Sequence, residues 1–95
     1  MDLQTFTQSL SQDFPPAGLS PLLQALWYDA DGDWDQAHRI AQESSRADAA
    51  WVHAYLHRKE GDIWNANYWY SRAGRRRPAM SLEDEWRSLV AELLG

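Results

Sequence analysis

Residues 48–73 decide the fold and read DAAWVHAYLHRKEGDIWNANYWYSRA. Apolar residues recur at helical spacing on both sides of the pair Gly61-Asp62. A glycine permits the backbone to turn sharply, and an aspartate caps the helix that follows it. The stretch therefore predicts two antiparallel helices, over 49–60 and 63–73, with Asp48 capping the first. The small residues Ala54 and Ala66 are expected to let them approach closely.

An earlier stretch repeats this pattern, with Gly32-Asp33 standing 29 positions before Gly61-Asp62. Ser20-Pro21 is typical of a helix start, because serine caps the first turn and proline suits its first position. These signals predict a helix from 21 to about 29 and another from 34 to about 44. The two helices are predicted to form a hairpin of the same kind, which is the first of two along the chain.

The flanking segments also show helical spacing. The chain begins with a helix-period segment over 2–12, followed by a Pro/Gly break, and Ser81 with Asp84 resembles a capping box before the last helix. No run of β-branched residues alternates as a strand would. The prediction is an all-α single domain, 1–95, of about six short helices. Its parts are an N-terminal helix and linker (1–19), two hairpins (20–46 and 48–78) and a C-terminal capping helix (81–95).

The second hairpin resembles a tetratricopeptide repeat, and more loosely a Sel1-type repeat. The matching small, turn, aromatic and proline positions are Ala54, Tyr55, Leu56, Gly61, Asp62, Ile63, Ala66, Tyr70, Ala73 and Pro78. The first hairpin matches more weakly, and its offset is shorter than the family's period of about 34 residues. The resemblance covers about 21–78. It implies a protein-binding groove lined by Trp51, Tyr55, Arg58 and Lys59.

Six tryptophans and four tyrosines are many for 95 residues. The helix over 63–73 is predicted to bury one stripe, formed by Ile63, Ala66, Tyr70 and Ala73. Trp64 and Tyr68 form a second apolar stripe on the same helix, with Trp69 beside it. A helix that is apolar on two faces is either sandwiched between neighbours or partly exposed at a contact site. The rings therefore either build the core or, in part, form a contact surface. The predicted contact set is Trp51, Tyr55, Arg58, Lys59, Trp64, Tyr68 and Trp69.

The three histidines suggest a second kind of site. His53 and His57 lie four positions apart on one helix, Glu60 continues their stripe, and His38 lies on the preceding helix. Three imidazoles and a carboxylate match the ligands that zinc prefers, which permits a metal site or a metal-assisted hydrolase. The alternative is that the imidazoles fill semi-buried positions, hydrogen-bonded to backbone or to Glu60. The order of residues differs from the metalloprotease motif.

Other chemistry finds little support in the sequence. The acidic turn over 29–35 has Trp34 where a calcium loop of the EF-hand type needs glycine, and Ile40 where it needs glutamate. The run Arg75-Arg76-Arg77 complements the end of a helix dipole or docks a phosphate or carboxylate. No nucleophile elbow or phosphate loop is present, and none of the paired carboxylates is expected in an apolar setting that would mark it as a general acid. We therefore predict no catalytic residue.

Composition restricts the partners. The net charge of −5 argues against general nucleic-acid binding, and no apolar window is long enough to span a membrane. The absence of cysteine and of a secretory signal pattern predicts a cytoplasmic protein. The leading expectation is a module that binds a protein partner or associates with itself through aromatic rings. A zinc-binding protein and a structural subunit of a larger assembly remain the alternatives.

Overall fold

A computed structural model describes residues 1–95 and contains six α-helices and no strand. The helices are α1 (Leu3–Gln8), α2 (Pro21–Ala30), α3 (Trp34–Ala41), α4 (Ala47–Lys59), α5 (Ile63–Arg72) and α6 (Leu82–Leu94). A short 3₁₀ turn, Ser9–Ser11, extends α1. The all-α prediction is confirmed.

Four predicted caps start their helices. Ser20, Asp33, Asp62 and Ser81 each accept a hydrogen bond from the backbone N–H three residues later. The turns between the paired helices contain Gly32 at φ +92° and Gly61 at φ +88°, a region that favours glycine. Local signals therefore predict these four caps and both glycine turns.

The predicted start of α4 is wrong. The backbone is extended at Arg46, and α4 begins at Ala47, so Asp48 lies within the first turn instead of capping it. The Asp48 carboxylate accepts the N–H of Ala49 at 2.8 Å, which still suits the positive end of a helix. Helix α3 ends at Ala41, about three residues earlier than the sequence pattern suggested.

Helix α4 is the centre of the fold. It packs against α2, α3, α5 and α6, and its residues 49–57 are all buried. The hydrophobic core draws on every helix, from Phe6 in α1 to Leu89 and Val90 in α6. Ala54 and Ala66 are both fully buried, as a close α4–α5 pair requires. Polar side chains on α4 are consequently held inside the molecule.

None of the six helices combines the length and the apolar character needed to cross a lipid bilayer. The longest, α4 and α6, have 13 residues each.

Candidate functional site

All three histidines of the chain meet between α3 and α4. The Nε2 atoms of His38 and His53 lie 2.9 Å apart and share a hydrogen bond. One ring nitrogen from each of His38, His53 and His57 lies within 4.8 Å of the other two. The helical spacing already placed His53 and His57 side by side. The packing of α3 on α4 adds His38.

The predicted fourth ligand, Glu60, occupies a different position. Its Oε1 lies 2.7 Å from Nδ1 of His57 and not beside the other two imidazoles. A neutral His57 donates Nδ1–H to this carboxylate, so its Nε2 carries the free lone pair. Glu60 therefore orients one ring of the histidine cluster, which we define as His38, His53 and His57.

Two tryptophans hold the cluster from the sides. Trp34 stacks on His38 with ring centroids 4.9 Å apart, and Trp69 of α5 stacks on His53 at 4.0 Å. Trp34 is itself fixed by a hydrogen bond from its Nε1 to the carbonyl oxygen of Leu56, at 2.8 Å. The planes of two of the three imidazoles are thus set by packing.

The cluster disfavours protonation. Burial, and then the neighbouring His38 and His57, lower the pKa of His53 to about 4. Burial and the nearby His57 also lower the pKa of His38, although Glu60 and Asp35 oppose that shift. At neutral pH, His38 and His53 are therefore uncharged, which is the form that binds a metal ion.

The residues predicted to line a groove lie on the opposite side of α4, where α6 packs against them. Trp51 and Tyr55 are only 7% and 3% exposed. Trp51 Nε1 donates to Glu85 at 3.2 Å, and Arg58 Nη1 pairs with the same carboxylate at 2.8 Å. The aromatic floor and cationic rim therefore do hold an acidic group, but that group belongs to the chain's own helix α6.

A second buried carboxylate completes this side. Tyr55 donates its hydroxyl to Asp29 at 3.1 Å, and Lys59 Nζ lies 2.9 Å from the same side chain. Asp29 and Glu85 are 2% and 0% exposed, so both carboxylates are buried, and each is paired with a cation and accepts further hydrogen bonds. The available signal was their position beside core residues. Asp29 follows Trp27 in the apolar run of α2, and Glu85 precedes Trp86.

Part of the predicted contact set remains at the surface. Trp64 is 78% exposed and Tyr68 is 47% exposed, and their rings stack with centroids 6.4 Å apart. The half-buried Trp69 meets Tyr68 edge-on, and the guanidinium of Arg72 lies over both rings at 5.4 and 5.8 Å. We call Trp64, Tyr68, Trp69 and Arg72 the aromatic face. Its role as a contact surface stays a prediction.

The arginine run after α5 divides into two roles. Arg75 lies 3.5 Å above the ring of Trp51 and pairs with Glu92 at 3.0 Å, so it helps to hold α6. Arg76 and Arg77 are exposed and form no ion pair. They leave two unneutralised cations in the segment that follows the aromatic face.

Comparison of the chain with protein-family models, with curated proteins and with solved structures finds no significant match. The tetratricopeptide resemblance therefore stays a prediction, and function has to be argued from the sites themselves.

Proposed function

We propose that this protein is a small helical module that binds an acidic protein segment through the aromatic face of α5. The carrying observation is that Trp64 is 78% exposed on a chain whose other tryptophans are buried or half-buried. Contiguous exposed apolar patches with a polar rim often mark the surfaces at which proteins bind one another. A cytoplasmic location is part of the same proposal.

The chemistry of the face supports an acidic occupant. Trp64 and Tyr68 offer flat apolar area at low entropic cost. Arg72 adds a cation that lies over the rings of Tyr68 and Trp69. Three of the nine lysines and arginines, Arg72, Arg76 and Arg77, lie within residues 72–77 without an ion pair, although the whole chain carries a net charge of −5. An acidic segment is attracted to the positive charge of residues 72–77 and repelled by the net negative charge of the rest of the chain. The two effects together orient the segment as it approaches.

The proposal moves the contact surface away from the groove that the repeat resemblance implied. In that groove, α6 already places Glu85 against Trp51 and Arg58. The face on α5 is outside this arrangement and needs no rearrangement of the core to receive a partner.

The test uses a fluorescein-labelled twelve-residue peptide of alternating glutamate and leucine, and the same peptide with glutamine for glutamate. We expect saturable binding of the acidic peptide at micromolar concentration, equivalent to about −8 kcal/mol, and weaker binding of the neutral one. Trp64→Ala is expected to weaken binding about tenfold or more. Phe14→Ala is the matched control, because Phe14 is equally exposed at 77% but lies between α1 and α2.

Other occupants give distinct results. Sedimentation that shows a concentration-dependent dimer lost in Trp64→Ala assigns the face to a second copy and overturns the acidic-segment proposal. Preferential binding of a poly-uridine oligonucleotide overturns it as well. If neither peptide binds, the acidic-segment proposal is wrong, and the hypothesis of a structural subunit in a larger assembly is favoured.

A further inference from the structure

The histidine cluster has the geometry of a nitrogen-ligand metal site and borders the aromatic face at Trp69. All three histidines of the chain take part, and they come from two different helices. A zinc ion held at Zn–N distances of about 2.0–2.1 Å requires ligand nitrogens about 3.3 Å apart. The Nε2 atoms of His38 and His53 are 2.9 Å apart, and no two ligand nitrogens of the cluster are more than 4.8 Å apart. Small movements of the side chains are expected to bring the three nitrogens to the required spacing.

Glu60 supplies the outer partner that metal-binding histidines usually have. Its contact with Nδ1 of His57, at 2.7 Å, selects the tautomer whose Nε2 lone pair is available. The stacked rings of Trp34 and Trp69 limit rotation of His38 and His53. The three imidazoles are thus oriented before any ion arrives.

We propose that His38, His53 and His57 bind one divalent transition-metal ion of the zinc class, with Glu60 as the hydrogen-bonding partner of His57 and not as a ligand. Imidazole nitrogen suits Zn²⁺, Co²⁺, Ni²⁺ and Cu²⁺ and excludes Mg²⁺ and Ca²⁺, which require oxygen. Three protein ligands leave one coordination position for water or another small ligand.

A competing ligand set lies close by and has to be separated from this one. His57, Glu60 and Asp62 also place three ligand atoms within 4.8 Å of one another. That set is more exposed and includes the cap of α5, since Asp62 accepts the N–H of Asn65. Asparagine caps a helix as well as aspartate does, so Asp62→Asn removes the ligand while it preserves the helix start.

The experiment is calorimetric titration of ZnCl₂ into chelator-treated protein without a polyhistidine tag. We expect one ion per chain for the wild type and for Asp62→Asn. His38→Ala, at a half-buried position, is expected to lower the affinity about 100-fold. Glu60→Gln is expected to weaken binding about 10–100-fold with the stoichiometry retained. Circular dichroism verifies that each variant is folded.

Two spectroscopic readouts remain informative even if a variant unfolds. Co²⁺ in the wild-type site is expected to give the intense visible bands of four-coordination. Nitrogen-resolved NMR of the zinc-loaded protein is expected to show Nε2 bound in all three rings and Nδ1 of His57 protonated.

Several results would overturn the metal site. They are no zinc binding at millimolar concentration, a pale six-coordinate cobalt spectrum, or a loss of binding in Asp62→Asn that His38→Ala does not share. Trp64→Ala is expected to bind zinc as the wild type does. Failure of the aromatic-face proposal therefore leaves this one standing, and the reverse is also true.

Discussion

The two sides of helix α4 handle buried polar groups in opposite ways. On one side, Trp51, Tyr55, Arg58 and Lys59 each direct a hydrogen-bond donor at a carboxylate of Asp29 or Glu85. On the other side, His53 and His57 face a third imidazole, and the only carboxylate in hydrogen-bonding contact is Glu60. We call these the carboxylate side and the histidine side.

The carboxylate side is an arrangement that stabilises the fold, whereas the histidine side is one whose charge we expect to change with pH. The carboxylate side brings opposite charges and donors together inside the protein, so losing one partner leaves the other buried without compensation. The histidine side brings three imidazoles together, and burial there lowers the pKa of His38 and of His53. We expect this cluster to respond to protons and metal ions, whereas the carboxylate side fixes α6 on the rest of the fold.

The largest expected effect comes from removing the centre of the carboxylate side. Glu85→Ala leaves Arg58 without its ion pair and removes the acceptor of Trp51 and Tyr70. We expect the free energy of unfolding to fall by about 3–5 kcal/mol, measured by urea denaturation. Glu83→Ala in the same helix is the control, because this exposed residue pairs only with Arg87, and its effect is expected below about 1 kcal/mol. Equal effects would mean that burial of Glu85 does not matter.

The histidine side is expected to weaken in acid. The folded pKa of His53, about 4, lies below its ordinary value of 6.5, so the unfolded chain binds more protons between these two pH values. Stability of the metal-free protein therefore declines as pH falls from about 6.5 to about 4, by up to about 3 kcal/mol. Urea midpoints measured across this window check the prediction. His53→Phe keeps a ring against Trp69, and we expect the urea midpoint of this variant to depend less on pH. An unchanged pH dependence would mean that groups other than His53 cause it.

The carboxylate side is expected to weaken in alkali instead. Burial, and then Asp29, raise the pKa of Tyr55 above its ordinary value of 10.0, so the stability it contributes is present below pH 10 and declines above it. At neutral pH, Tyr55→Phe removes one hydrogen bond to Asp29 and is expected to cost about 1 kcal/mol in thermal denaturation. Above pH 10 the gap between variant and wild type should narrow. A constant gap would contradict the assigned role of the hydroxyl.

The smallest effect on stability is expected at Trp64, the exposed end of the aromatic face, which contacts neither side of α4. Trp64 is 78% exposed, so Trp64→Ala should change the free energy of unfolding by no more than about 0.5 kcal/mol. Acrylamide quenching of tryptophan fluorescence should nevertheless lose its most accessible component. Trp27→Phe is the contrasting variant, since Trp27 is fully buried and contributes little to quenching. A large destabilisation by Trp64→Ala would make this ring structural.

Helix identity followed from local signals, and exposure did not. The stripe Ile63, Ala66, Tyr70 and Ala73 is buried or half-buried as its spacing predicts. Trp51 and Tyr55 also lie one helical turn apart, and the tetratricopeptide resemblance implies that they line a groove. They are buried because α6 returns to cover them, and no helical period encodes which distant helix covers a face. The sequence offered Glu60 as a fourth ligand, but only the side-chain geometry puts it on Nδ1 of His57.

By itself, the sequence determined the turns, four of the five caps predicted for α2 to α6, and the pairing of neighbouring helices. Each of these depends on contacts three to five residues apart, such as Ser81 with the N–H of Asp84, or on the backbone freedom of a single glycine. The tertiary structure decided the chemistry. It brings Glu85 to Trp51 across 34 positions and His38 to His53 across 15. Such pairings depend on how whole helices pack, because burial and charge act through space and not along the chain.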